Sequence, residues 1–172
     1  HSFQQIVDYQ LEPNIYSTDL LASFIKAVVQ TGLKDFPIHL KIDTGMNRLG
    51  FKTDEEIKTA IELVKESEFV LIKSIFSHLA GSDDSKLDNF TQDQITRFQE
   101  VAKVVSDSFP YNILRHILNS AGIERFTDKQ FEMVRLGIGL YGISNTGLPL
   151  QNIGTLRSTV SQVKQVKSNE TV

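Results

Sequence analysis

"PIHLKIDTGMNRLG" (residues 37–50) starts as an apolar run and ends in charge. Residues 37–43 have the length and composition of a strand, yet Lys41, Asp43 and Arg48 fall within eight positions at its end. Charges so close to a buried segment are costly unless they serve one another or a ligand. A strand whose C-terminal end gathers such groups belongs to a fold that builds its site there.

The flanking sequence repeats this design. "LEPNIYS" (11–17) reads as extended, and Ser17 or Thr18 caps a helix in which Leu20, Leu21, Phe24, Ile25, Val28 and Val29 recur at helical spacing up to Gly32. Thr53 and Glu56 form a capping box before Ile57, Ala60, Ile61 and Val64. "FVLIKSIFS" (69–77) is a nearly continuous apolar and β-branched strand, and a long helix over 86–107 carries Phe90, Ile95, Phe98, Val101 and Val105 inward. "ILRHILN" (113–119) and "MVRLGIGLYGI" (133–143) read as strands four and five.

Strands alternating with helices, without hairpin turns, mean parallel pairing through right-handed crossovers. Mostly apolar strands mean burial on both faces. A doubly wound sheet and a (β/α)8 barrel both fit that pattern. No Gly-rich fingerprint follows the early strands, so the nucleotide-binding version has no support. Polar residues instead collect past successive strand ends: Thr44 to Arg48, His78, Asn119 with Ser120, and Arg135. The expectation is α/β, the C-terminal part of a (β/α)8 barrel with about five βα units over 1–143, three more lying upstream. "SNTGLPLQNIG" (144–154) reads as a linker, and the Thr- and Val-rich stretch 155–172 as the first strand of a β domain. With no initiator Met, and "SNETV" closing the chain inside that strand, an internal piece of a longer protein is expected.

Composition narrows the classes. The 172 residues are 40 % hydrophobic and 23 % charged, as ordinary globular domains are. A net charge of −3 gives no basic footprint for nucleic acid. Cysteine is absent, which excludes a disulfide framework and fits a reducing compartment. No apolar run has the length of a membrane span, and the N-terminus lacks a signal-peptide plan, so a cytoplasmic protein is expected.

Each polar group has a plain structural reading beside a functional one. Lys41, Asp43 and Arg48 can be an ion-pair network at a strand end. "DTG" also occurs in aspartic proteases, but the helices here exclude those all-β folds. Arg135, between Val134 and Leu136, is better placed in a barrel mouth than against apolar helices. Gly137 and Gly139 let backbone approach a ligand, and N–H groups after a late barrel strand, with Ser120, suit a phosphate. His78 and His116, on neighbouring strands, read most simply as hydrogen-bonded core histidines, and a role as neutral relays beside Arg135 would suit both; no metal-ligand spacing joins them. His1 and His39 carry no such context, and "GSDDSKLD" (81–88) reads as a solvated loop and helix start.

The motifs "HLKIDTGMNRLGF", "FSHLAGSDD", "HILNSAG" and "MVRLGIGLYG", in this order, resemble alanine racemase, the fold-type III pyridoxal 5′-phosphate (PLP) family that interconverts L- and D-alanine and so supplies D-alanine for peptidoglycan. The chain is also similar to the racemase half of the Bacteroides-type fusion with a muramoyl-tripeptide D-alanyl-D-alanine ligase. The resemblance implies that Arg48 bonds the cofactor's phenolic oxygen beside the substrate carboxylate, and that Lys41, carbamylated in many members, holds it. Asp43 and Thr44 would support the turn that aims Arg48. Arg135 would face the pyridine nitrogen, with His116 and His78 in its network. Ser120 and the N–H groups of Gly137 and Ile138 would hold phosphate, with Asn119 supporting. The Schiff-base Lys would lie upstream and the opposing Tyr in the partner subunit's β domain, downstream of residue 172, so the segment alone is expected to be inactive and its parent a homodimer. Other racemases, a fold-type III decarboxylase and a non-catalytic PLP barrel are the rival readings; an Arg at the pyridine nitrogen counts against the decarboxylase.

Overall fold

The computed structural model describes residues 3–170. Four strands, β1 (Asn14–Ile15), β2 (Phe36–Lys41), β3 (Val70–Phe76) and β4 (Leu114–His116), form one sheet in chain order, every pair parallel. Helices α1 (Phe3–Asp8), α2 (Thr18–Val29), α3 (Asp54–Lys65), α4 (Asp88–Asp107) and α5 (Ser120–Arg125) precede, separate and follow them. A sheet whose spatial order equals its chain order, with a helix in each crossover, is a sector of a βα barrel.

The caps read from sequence form. Ser17 Oγ accepts the Leu20 N–H at 3.3 Å and opens α2. Thr53 Oγ1 accepts from Glu56 N–H at 3.2 Å while Glu56 Oε2 takes the Thr53 N–H at 2.9 Å, so two otherwise orphaned donors open α3 satisfied. Leu21, Phe24 and Val28, then Ile57, Ile61 and Val64, then Ile95, Phe98, Val101 and Val105, bury their stripes on Ile15, Ile38, Leu40, Ile72 and Ile75. The core lies between sheet and helix layer.

The other sheet face is polar, contrary to the expectation of burial in apolar surroundings on both sides. In β2, Ile38 and Leu40 are buried under helices while His39 and Lys41 turn to the opposite face and are half-buried. A bulge keeps β3 in step: Ile38 pairs with Ile72 but His39 pairs with Ser74, leaving Lys73 as the extra residue. Ile72 and Ile75 therefore both reach the core, and Ser74 and Phe76 join His39 and Lys41 on the polar face.

Two expected strands, 133–143 and 155–172, are absent among the described residues; positions 171 and 172 of the second lie outside them. Residues 133–143 make one ladder-like bond, Arg135 N–H to Leu118 C=O at 3.0 Å, and then coil into a 3₁₀ turn at Ile138–Tyr141. Ser120 Oγ takes the Gly137 and Gly139 N–H groups that a strand would give to a neighbour. Residues 155–170 contain no strand and are exposed throughout; with no partner among the described residues they gain no ladder bonds. Among the described residues four strands, not five, are thus formed. Phe90, expected inward on α4, is 36 % exposed and covers Gly45 and Gly81 at the rim, while Thr91 and Gln94 are buried in its place.

Candidate active site

The loop after β2 explains its charges one by one. Asp43 Oδ1 accepts the N–H groups of Gly45 (2.9 Å) and Asn47 (3.0 Å), so its carboxylate is spent on the turn. Backbone bonds Asp43 N–H to Phe51 O and Phe51 N–H to Lys41 O, both 2.9 Å, fold the loop back on the strand end. Gly50 at φ +134° permits this, because a Cβ there would stand 2.5 Å from Asp43 N. Among the described residues no ion pair joins Lys41, Asp43 and Arg48, so they are not a structural salt-bridge network. Arg48 is left on the exposed tip, and Lys41 lies 5.6 Å over the Phe76 ring.

Gln94, unmarked in the sequence reading, ties α4 to two strand ends. Fully buried, it donates through Nε2 to Thr44 Oγ1 (3.3 Å) and His78 O (3.1 Å) and accepts the Ala80 N–H (2.9 Å). Thr44 in turn meets Ser77 Oγ at 2.8 Å. The available signal was an amide one turn ahead of Phe98 in an apolar stripe.

Arg135 is the hub. Its Nη1 meets His116 Nδ1 at 2.7 Å, and its Nη2 donates to Ser77 O at 2.6 Å and contacts His78 Nδ1 at 3.4 Å. Phe76 lies under both the guanidinium (5.1 Å) and the His116 ring, stacked at 4.9 Å with a 2° interplanar angle. Every partner of Arg135 is neutral; no carboxylate pairs with it among the described residues. Burial, then the Arg135 charge, pushes His116 down to about 4, and the same causes, with Arg48 and Lys41, lower His78. Both rings are neutral at pH 7. Burial first, then Arg48 and Arg135, also lowers the Lys41 ammonium against the opposing pull of Asp43. Arg48 and Arg135 therefore act on the same two residues, Lys41 and His78, across a positive rim.

The third part is a cradle. Ser120 Oγ accepts from Gly137 N–H (2.9 Å) and Gly139 N–H (3.0 Å), which leaves its own hydrogen to donate. Ile138, first residue of its 3₁₀ turn, has no acceptor within the turn for its N–H. Asn119 caps α5 through Gly122 N–H (2.9 Å) and is held by Ser82 Oγ (2.8 Å) and Leu79 O (3.2 Å). Asn119, Ser120, Gly137 and Ile138 line a hollow of about 330 Å³ with His78. The structure thus gathers His78, Asn119, Ser120, Gly137 and Ile138 around that hollow, and Lys41, His116 and Arg135 around Phe76 beside it, with Arg48 on the loop at the rim.

His39, set aside in the sequence reading, joins the network. Its Nδ1 meets Ser74 Oγ at 2.6 Å and its Nε2 meets Glu12 Oε2 at 2.9 Å, while Ser74 Oγ reaches His116 Nε2 at 3.0 Å. The signal was its i, i+2 relation to Lys41, opposite Ile38 and Leu40.

These features define a class: a parallel βα barrel sector with a positive, anion-accepting site past its strand ends. The profile of the alanine racemase N-terminal domain matches residues 1–145, and the chain belongs to that family. It is 32 % identical over 162 residues to alanine racemase 1 of Oceanobacillus iheyensis, covering 94 % of this chain and 42 % of that protein. It is 41 % identical over 140 residues to the alanine racemase of Fusobacterium nucleatum (78 % of this chain, 38 % of that one). Among solved structures, the alanine racemase of Clostridium difficile 630 superposes with TM-score 0.75 at 27 % identity, over 83 % of this chain and 37 % of that one. The Bartonella henselae alanine racemase with covalently bound pyridoxal phosphate gives TM-score 0.71 at 28 % identity, over 88 % and 41 %. The chain thus spans about two fifths of the length of the relatives it matches.

Proposed function

We propose that this chain supplies cofactor- and substrate-binding groups of a PLP-dependent alanine racemase. The observation that carries the reading is Arg135, held only by neutral acceptors and in contact with His78, which lines the hollow. The donors present fit a phosphorylated pyridine: the Ser120 hydroxyl hydrogen and the Ile138 N–H for phosphate, and a guanidinium for the ring nitrogen. A Cβ at Gly139 would come within 3.3 Å of Ser120 Oγ and fill that cradle.

When bound, PLP withdraws electrons from the substrate α-carbon and makes its C–H acidic. Arg135 cannot readily give a proton to a ring nitrogen, so it holds that nitrogen unprotonated and moderates the withdrawal, which favours racemisation over transamination. His116 and His78, neutral, keep the guanidinium aimed without neutralising it. In this reading Arg48, on the loop at the rim, takes the phenolic oxygen and the substrate carboxylate; Lys41, its ammonium destabilised, is suited to carbamylation, which would turn it into an anion.

Two-base racemisation needs groups on both faces of the α-carbon. In this proposal the Schiff-base Lys and the opposing Tyr come from outside residues 1–172, the active species is a cytoplasmic homodimer, and alanine is the substrate. The division into a partial barrel (1–143), linker (144–154) and β-domain onset (155–172) belongs to it as well, as does the ligase fusion. Among the described residues no helix is long and apolar enough to cross a membrane. A racemase of broader specificity is the alternative, because substrate choice depends on pocket walls. The test is an absorbance titration of the longer polypeptide with PLP, alongside racemisation of alanine, serine and lysine. Saturable binding with an altered spectrum in Arg135→Glu supports the reading, and an unchanged spectrum in that variant overturns it. Racemisation by the 172-residue chain alone with PLP would overturn the assignment of both bases elsewhere.

A further inference from the structure

A chain of hydrogen bonds crosses the polar sheet face from Arg135 to Glu12. Its links are Arg135 Nη1 to His116 Nδ1 (2.7 Å), His116 Nε2 to Ser74 Oγ (3.0 Å), Ser74 Oγ to His39 Nδ1 (2.6 Å) and His39 Nε2 to Glu12 Oε2 (2.9 Å). Lys73, the bulged residue of β3, holds the other Glu12 oxygen at 2.5 Å. The register places His39 opposite Ser74, and Phe76 opposite His116, so the path runs over three adjacent strands.

The chemistry of the two ends gives this chain a direction. A guanidinium has donors and no acceptor, so His116 Nδ1 must present its lone pair. The neutral ring then carries its hydrogen on Nε2 and donates to Ser74 Oγ. With one lone pair so engaged, the single Ser74 hydrogen is free for His39 Nδ1, and a His39 that accepts it there carries its own hydrogen on Nε2, toward Glu12. An ionised carboxylate only accepts. The reverse direction would set a His116 N–H against an Arg135 N–H.

We propose that Glu12, His39 and Ser74 are positioning residues that fix the tautomer of His116 and thereby the placement of Arg135. This rests on the geometry of the chain itself and holds whether or not Arg135 faces a pyridine ring. Neutrality of His116, whose proton affinity burial and Arg135 push down to about 4, agrees with it. Lys73, first among the causes, then keeps the Glu12 carboxyl ionised at neutral pH.

The test is ¹⁵N NMR of the histidine ring nitrogens in the ¹⁵N-histidine-labelled 172-residue chain at pH 7, without cofactor. His116 and His39 are both expected as the Nε2–H tautomer with unprotonated Nδ1. A protonated Nδ1 on either ring overturns the proposal. Gln at position 12 can donate as well as accept, so Glu12→Gln is expected to move His39 toward mixed tautomers and to shift His116 Nε2. In the Ser74→Ala background the effect of Glu12→Gln on His116 should vanish; an equal shift in both backgrounds means a through-space field and overturns the relay. Should Ser74→Ala fail to fold, Ser74→Thr, which keeps the hydroxyl, must preserve the wild-type tautomers, and their loss there overturns it equally. Failure of PLP to bind would sink the proposed function and leave these signals unaltered.

Discussion

His116 Nδ1 lies 2.7 Å from Arg135 Nη1 while its ring lies flat on Phe76, and the same phenyl ring underlies the guanidinium. The imidazole is thus sandwiched between a permanent cation at one nitrogen and an apolar face, both of which oppose a second positive charge. It can act as an acceptor toward Arg135 only while neutral.

Acid should expose that dependence. Burial first, then Arg135, pushes His116 down to about 4 in the fold against an ordinary 6.5, so between those values the unfolded chain binds more protons and stability rises with pH. The contribution is complete above pH 6.5 and is lost as pH falls toward 4; at pH 5 the expected loss is about 2 kcal/mol. His78, also lowered, acts in the same direction. Glu12, Glu56 and Glu132 have folded values below 4.5, so their losses come at lower pH and leave this window to the histidines. Urea midpoints at pH 7.5 and 5.0 measure the loss. His116→Gln should remove most of it; an identical slope in that variant would show that another group is responsible.

Arg135→Lys should cost about 1–3 kcal/mol although the charge is kept. One ammonium cannot reach His116 Nδ1, Ser77 O and the Phe76 face together, which the planar fork of Arg135 does. Denaturant unfolding at pH 7.5 measures it. A change below about 0.5 kcal/mol would mean that the network is loosely held.

Gly50 and Gly32 separate steric need from backbone preference. Both have positive φ, but a Cβ on Gly50 would meet Asp43 N at 2.5 Å and Ile42 C at 2.7 Å, whereas nothing lies within 4 Å of one on Gly32. Gly32→Ala should therefore cost about 1–2 kcal/mol from the left-handed conformation alone. Gly50→Ala adds a backbone clash, for about 3–5 kcal/mol in all, and displaces the loop that carries Arg48. Equal costs in thermal melts would contradict the close approach.

The sequence marked the strand ends where polar groups collect, because charge next to apolar runs is costly and therefore conspicuous. The capping box at Thr53 and Glu56 was readable for the same local reason. What escaped depends on pairing across strands. Gly137 and Gly139 sit in an apolar run that reads as a strand, and only the proximity of Ser120 shows where their N–H groups go. For His39 the i, i+2 relation to Lys41 gives its face but not its partners, since Ser74 and Glu12 are 35 and 27 positions away. Gln94 goes unmarked in the sequence because its partners, Thr44, His78 and Ala80, lie past the ends of β2 and β3. The β3 bulge leaves no trace in a stretch as apolar as "FVLIKSIFS".

That bulge yields the least intuitive outcome. Deleting a residue from a central strand ordinarily turns every later side chain to the wrong face. Here the deletion of Lys73 should be tolerated. Ile38 already pairs with Ile72 and His39 with Ser74, so removal of the extra residue closes the ladder without moving either partner. β4 pairs only with Ser74, Ile75 and Phe76, beyond the closure, and Ile72 N–H keeps its bond to Tyr111 Oη. What is lost is the Lys73–Glu12 ion pair, half-exposed and worth at most about 1 kcal/mol. Deleting Ile75 instead would bring Phe76 to the core side and take His116 off its stacking partner, with an expected loss of folded protein. Circular dichroism and urea unfolding of the two deletions decide the matter: collapse of both to the same degree would mean that Lys73 is an ordinary ladder residue and that the register of β3 is set some other way.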